Sequence, residues 1–293
     1  MTDLWIILTG ALVAATCGIL GCFLVLRKMS MIGDAISHSV LPGIVIAFML
    51  SGSRDSFVML LGASAVGLVT VFLIQLFQNS GVQSDASIGV VFTALFAVGV
   101  VLVSLNARNV DLDLDCVLFG EIAYVHWNTT TLFGIDMVPK AVWILSFTLL
   151  VILLVIGLFY KQFKICAFDP AMAIACGIPV ALFHYLLMGL VSMTTVASFE
   201  SVGAILVVGM LIVPASTAYL LTERLSLMIV YSVAIGIGCA IAGYYLSSLL
   251  DASIAGMMVT VAGALFILAF LLSPTHGMLA RVLKRRRIAE MTA

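Results

Sequence analysis

Long apolar runs separated by brief polar punctuation make up most of the chain. Runs long enough to cross a bilayer, about 20 residues, lie at roughly 4–26, 32–52, 57–78, 86–105, 141–160, 180–198, 201–222, 225–248 and 254–273. The pattern predicts an all-α polytopic membrane protein, a bundle of about eight or nine transmembrane helices. The second run is the weakest, because Asp34, His38, Pro42 and Gly43 interrupt it. Between about 106 and 140 a polar stretch intervenes, with room for a short helix at 115–125 that does not cross. Pro214 predicts a kink in the seventh run. In the eighth, Ala234, Gly238 and Ala242 recur every four residues, with Gly236 and Ala240 beside them. Small residues at that spacing let helix backbones approach closely.

Composition removes the soluble alternative. Of 293 residues, 63% are apolar and 9% charged, against about 25% charged in an ordinary soluble domain. The mean hydropathy is +1.28. The opening MTDLWIILTG has no basic stretch before its apolar run, so it is expected to be a first span and not a cleaved signal peptide. The six cysteines show neither CxxC pairs nor zinc-site spacing and read as packing residues. No GxxxxGK[ST] phosphate loop is present, so energy for any ATP-driven step must come from another polypeptide.

Charge fixes orientation. With the RVLKRRR tail at 281–287 inside, ten of the thirteen basic residues fall in cytoplasmic segments, and only Arg54, Arg108 and Lys140 fall outside. Cytoplasmic loops hold the Lys/Arg excess, so the expected topology is N-terminus outside and C-terminus cytoplasmic. The tail, 274–293, could also meet anionic lipid, and nothing in the chain suggests nucleic acid.

Charge inside a span is costly, about 2.5–3.5 kcal/mol at a helix centre on insertion scales. Asp34 and His38 nevertheless share the second run. From a helix start near Ser30, His38 lies about 12 Å along the axis, near mid-membrane. Four residues apart, the pair shares one helix face. A carboxylate oxygen and an imidazole nitrogen suit Mn²⁺, Fe²⁺ or Zn²⁺, and a second copy across a two-fold axis would raise two ligands to four. The alternative is a hydrogen-bonded pair that only locks helices together. Pro42-Gly43 is expected to break the helix just after the pair, and broken helices at mid-membrane often line transport sites.

Other polar positions are secondary. Glu200, in the outer turn expected at 198–201, and His184, early in the sixth run, are further pathway candidates. The polar stretch carries Asp111, Asp113, Asp115, Glu121 and Asp136 against Arg108 and Lys140, a formal −3. That charge would concentrate cations at an entrance or pair with lysines of a docking protein. On the inside, the loop 161–179 holds a short punctuated helix. Asp169 suits its N-cap, Pro170 its first position and Gly177 the residue past its end. Ala171 and Met172 open a smooth small-residue surface that suits either re-entry into the sixth span or docking against a soluble partner.

Three stretches carry a family resemblance. MSMIGDAISHSVLPG at 29–43, VGAILVVGMLIVPASTAYLL at 202–221 and DLDLDCVLFGE at 111–121 resemble the permeases of the zinc/manganese/iron ABC importer family. The likeness runs through most of the chain. It implies a single permease domain over 1–293, of the vitamin B12/metal-chelate type, in a bacterial cytoplasmic membrane. It also implies a dimer with a second copy or a paralogue, an ABC ATPase subunit, and an extracytoplasmic metal-binding protein. No permanently bound cofactor and no enzymatic activity are implied. Asp34 and His38 would bind the metal in transit, and the 169–177 segment would be the coupling helix to the ATPase. An ion-gradient-driven secondary metal transporter is the competing reading; it predicts an inverted repeat, and the GDAISH stretch has no obvious second copy.

Overall fold

A computed structural model describes residues 2–51, 56–106, 122–127 and 138–273. The acidic residues Asp111, Asp113, Asp115, Glu121 and Asp136, and the 274–293 tail, lie outside the described residues. Of the short helix expected at 115–125, only residues from 122 onward are described, and these begin a 3₁₀ turn, Ile122–Trp127.

The helices run in the order α1 (Thr2–Leu26), α2 (Ser30–Ser39), α3 (Leu41–Ser51), α4 (Ser56–Asn79) and α5 (Ser84–Asn106). After the 3₁₀ turn come α6 (Lys140–Leu158), α7 (Tyr160–Phe168), α8 (Pro170–Ala175), α9 (Val180–Leu221), α10 (Leu225–Leu250) and α11 (Ile254–Leu272). Among the described residues, nine segments are long and apolar enough to cross a membrane, and they coincide with the nine runs to within a few residues. Outward-facing Leu150, Leu153, Leu154 and Leu158 of α6, and Ile267 and Leu272 of α11, leave apolar surface that only lipid would solvate.

At the centre stands α1. Val13, Ala14, Cys17, Leu20, Phe23 and Leu24 are fully buried, packed among α6, α9 and α10. Gly21 lets α1 reach the α9 backbone, since a β-carbon there would overlap the Leu211 carbonyl. Ser232 on α10 donates to the Gly18 carbonyl at 3.1 Å. Small-residue approach and interhelical hydrogen bonds are what hold helices together where water supplies no driving force.

The turn after α1 is a Schellman closure. The Met29 N–H reaches the Leu24 carbonyl at 2.9 Å and the Lys28 N–H reaches Val25 at 3.1 Å. Its left-handed position, φ 58°, is held by Lys28 where glycine would be usual.

Two expectations need correction. The second span is interrupted at Val40, two residues before Pro42, by a lost hydrogen bond while Val40 itself keeps helical angles (φ −70°, ψ −26°). Proline has no N–H for the carbonyl four residues back, so the ladder opens ahead of it. Gly43 and Ile44 then both bond the Val40 carbonyl, at 2.9 and 3.1 Å. Gly43 serves packing: a β-carbon there would lie 2.7 Å from the Gly62 carbonyl oxygen on α4. The turn expected at 198–201 is displaced to Gly203. As one straight helix, the 42 residues of α9 would span about 63 Å, twice a hydrocarbon core. Gly203, at φ 76° and ψ 166°, is its one non-helical residue and divides it into two spans, while Pro214 stays inside the helical run. That backbone region is essentially closed to residues with a β-carbon. The two halves pack differently: Ser192 donates to the Ser64 carbonyl of α4 at 3.2 Å, whereas Leu211 abuts α1 and α2.

Candidate functional site

The α2 helix is amphipathic in an unusual sense. Ile32, Gly33, Ala35, Ile36, Ser37 and Ser39 are buried, while Asp34 and His38 keep 39% and 34% of their side chains open. The buried face is fixed at two points. Gly33 is pressed against Leu211 of α9. Ser39 shares a buried 2.7 Å hydrogen bond with Thr70 of α4.

His38 Nε2 and Asp34 Oδ1 are 3.5 Å apart, one helical turn from each other. The pair closes within α2, so it does not itself tie two helices together. Ser37 is no competing ligand, because its hydroxyl is buried and donates to the Asp34 backbone carbonyl at 2.7 Å. The His38 ring lies beside two phenylalanines of α5, with centroids 6.0 Å from Phe92 and 6.3 Å from Phe96. Sequence reading missed both, since two Phe in an apolar span carry no signal of their own. Only their four-residue spacing, which puts them on one face of α5, hinted at a joint role.

Among the described residues no three His, Cys, Asp or Glu side chains come together as a metal-binding group. Asp34 and His38 therefore offer two ligands and open space. His184 is not joined to them. It is buried at the start of α9, edge-on to Tyr185 at 5.4 Å, and within electrostatic reach of Arg27. Arg27 is half-buried, with no hydrogen-bond partner for Nε and Nη2 among the described residues, and burial pulls its guanidinium below its usual range. A neighbouring guanidinium disfavours a second cation close to it. Glu200 lies on a helical stretch of backbone, and its side chain is outside the described residues.

The punctuation of the 161–179 loop is realised in full. Asp169 Oδ1 accepts from the Met172 N–H at 3.0 Å, and Pro170 opens α8. Gly177, at φ 76°, closes it in a Schellman motif, with Ile178 N–H to the Ala173 carbonyl at 3.0 Å and Gly177 N–H to Ile174 at 2.9 Å. Only Ala173 of α8 is buried; Met172 and Ile174 stand 57% and 66% exposed. A groove of about 400 Å³ beside it is lined by Lys161, Lys164, Ile165, Phe168, Asp169 and Met172.

A bundle of apolar spans carrying a partly open Asp–His pair is that of a multi-pass membrane protein. The ABC 3 transport family matches residues 3–273, and the chain belongs to that family. It is 54% identical over 282 residues to the manganese transport system membrane protein MntD of Bacillus subtilis (strain 168), covering 96% of each chain. It is 43% identical over 284 residues to the zinc transport system membrane protein TroD of Treponema pallidum (strain Nichols), covering 97% of this chain and 77% of that one. Among solved structures it resembles PsaBC from Streptococcus pneumoniae in complex with Fab, with TM-score 0.79 and 34% identity over 96% of this chain and 94% of that one.

Proposed function

We propose that this chain is the membrane-spanning permease subunit of an ATP-driven importer of a divalent transition-metal ion, manganese, zinc or iron, in a bacterial cytoplasmic membrane. Relatives named for manganese and zinc transport support that cargo class. Membership in an ABC transport family favours ATP over an ion gradient as the source of energy. The observation that carries the site is the Asp34–His38 pair, 3.5 Å apart and partly open within a span. One chain supplies two ligands, so a second copy or a paralogue facing it across a two-fold axis would complete a four-ligand site.

Metal would arrive from an extracytoplasmic binding protein, drawn by the acidic stretch holding Asp111, Asp113 and Asp115. Hydrolysis belongs to an ABC ATPase partner, and no bond-making chemistry is assigned to this chain. Its closure would press on α8, whose ends are capped by Asp169 and Gly177 and whose Ala171 and Met172 face outward. Rigid ends make a six-residue helix a lever and not a tether.

The test is uptake of radioactive manganese, zinc and iron by metal-starved cells carrying this chain with its ATPase and binding protein. Asp34→Ala and His38→Ala are expected to abolish uptake of one metal while the complex still assembles. Normal uptake by both variants would falsify the site.

A further inference from the structure

Within a membrane helix, a metal ligand works only if its side chain is held in one orientation, since a freely turning imidazole pays its own ordering cost at every binding event. Two kinds of contact restrain His38. Asp34 approaches it at 3.5 Å from the same helix. The ring contacts come from one other element: Phe92, tilted by 37° at 6.0 Å, and Phe96, edge-on at 85° and 6.3 Å. The two phenylalanines stand one turn apart on α5, and the His38 ring packs beside both.

Their helix is placed for this task. Its contacts run to α2, α3 and α4. Below the phenylalanines it is seated against the proline of the broken span, where a β-carbon on Gly99 would come within 2.8 Å of Pro42 Cδ. Around this seat Leu41, Val45 and Val103 form a small apolar cluster of their own, with Phe96 packed on it. Phe96 thus joins the His38 ring to a packed block that fixes α5 against α2–α3.

We infer that Phe92 and Phe96 are positioning residues for His38, an aromatic bracket that holds the imidazole toward Asp34 and so sets how tightly the pair takes a divalent cation. The inference rests on the reading of Asp34 and His38 as the metal site. The bracket itself is a statement about ring orientation and can be tested apart from metal.

The experiment uses the permease–ATPase complex in detergent and follows acylation of His38 by diethyl pyrocarbonate, quantified by peptide mass spectrometry, with and without Mn²⁺ as probe. Phe92→Leu, Phe96→Leu and the double variant are compared with Phe92→Tyr and Phe96→Tyr. Phe270→Leu serves as a control, because Phe270 stacks on Phe266 in α11. Expected are an acylation rate raised about three-fold or more in the Leu variants, the scale of one lost aromatic contact, and a matching rise in the Mn²⁺ concentration giving half-protection. The Tyr variants and Phe270→Leu should stay near wild type. Unchanged acylation and unchanged half-protection in the Leu variants would overturn the bracket, as would Tyr variants that react as fast as the Leu variants. If wild-type His38 reacts faster in the Leu variants but Mn²⁺ never protects it, the bracket stands and the metal-site reading fails. Should the double variant not assemble, Phe96→Leu alone decides, by the same two readouts.

Discussion

Ser39 and Thr70 show how much a single polar contact is worth here. Their 2.7 Å hydrogen bond is buried between α2 and α4; with the Thr70 proton on the Val66 carbonyl at 2.8 Å, Ser39 is the donor to Thr70, and the Ile36 carbonyl at 3.2 Å is the alternative acceptor for that one Ser39 proton. Ser39→Ala is therefore expected to cost about 0.6 kcal/mol, the average for such bonds in membranes, seen as a small drop in detergent thermal stability; a loss several times larger would show the bond to be a principal lock. Gly43 behaves differently. Gly43→Val would drive a side chain into the Gly62 carbonyl and Ala63 Cα, 2.7 and 2.9 Å from its first carbon. Overpacking of that kind costs about 1–3 kcal/mol, and the displaced α3 should also lower metal uptake. The Asp34–His38 pair was legible in the sequence because charge in a span is expensive and four-residue spacing is a helix face. Phe92 and Phe96 were not legible, because an aromatic ring in a span signals nothing until a neighbour from another helix gives it a purpose.

At the scale of elements, α8 is a helix made by its ends. A helix of six residues is far too short to persist on propensity, so Asp169 and Gly177 decide whether it exists. Asp169→Ala removes the N-cap at about 1 kcal/mol, whereas Asp169→Asn keeps it. The expected outcome is reduced ATP-dependent uptake for Ala and near-normal uptake for Asn, with Mn²⁺ protection of His38 intact in both. Equal effects of the two would show that the charge, and not the cap, matters. The end of α1 makes the converse point. Lys28 holds a left-handed backbone that costs a residue with a β-carbon about 1–2 kcal/mol, so Lys28→Gly should raise the melting temperature of the complex; no rise, or a fall, would mean that the Lys28 side chain returns more than its backbone spends. Element boundaries came out of the sequence wherever punctuation was chemical, as at Asp169, Pro170 and Gly177. They were displaced wherever the breaker had a choice, as at Pro42, whose effect surfaces at Val40.

For the molecule as a whole, orientation is the property most open to test. Of the described cysteines, Cys17, Cys22, Cys166 and Cys239 are buried and Cys176 alone is exposed. In a Cys116→Ser background, a membrane-impermeant maleimide should label Cys176 in inside-out vesicles and leave right-side-out vesicles unlabelled. The reverse pattern would invert the topology drawn from the Lys/Arg excess.

The sequence by itself determined the solvent, the helical class, the nine apolar runs and the polar pair. Lipid imposes a length and a composition on every span, and these conditions are local, satisfied or violated within about 20 consecutive residues. What only the tertiary structure decided is which helices touch. Both Gly203 and Pro214 lie within α9, but only Gly203 leaves the helical region, and on either side of it the chain meets different partners, α4 through Ser192 and α1 and α2 through Leu211. The surroundings of His38 were likewise settled by residues more than 50 positions away, on α5. Such contacts depend on shape and register between helices, which neither apolar periodicity nor a local motif encodes.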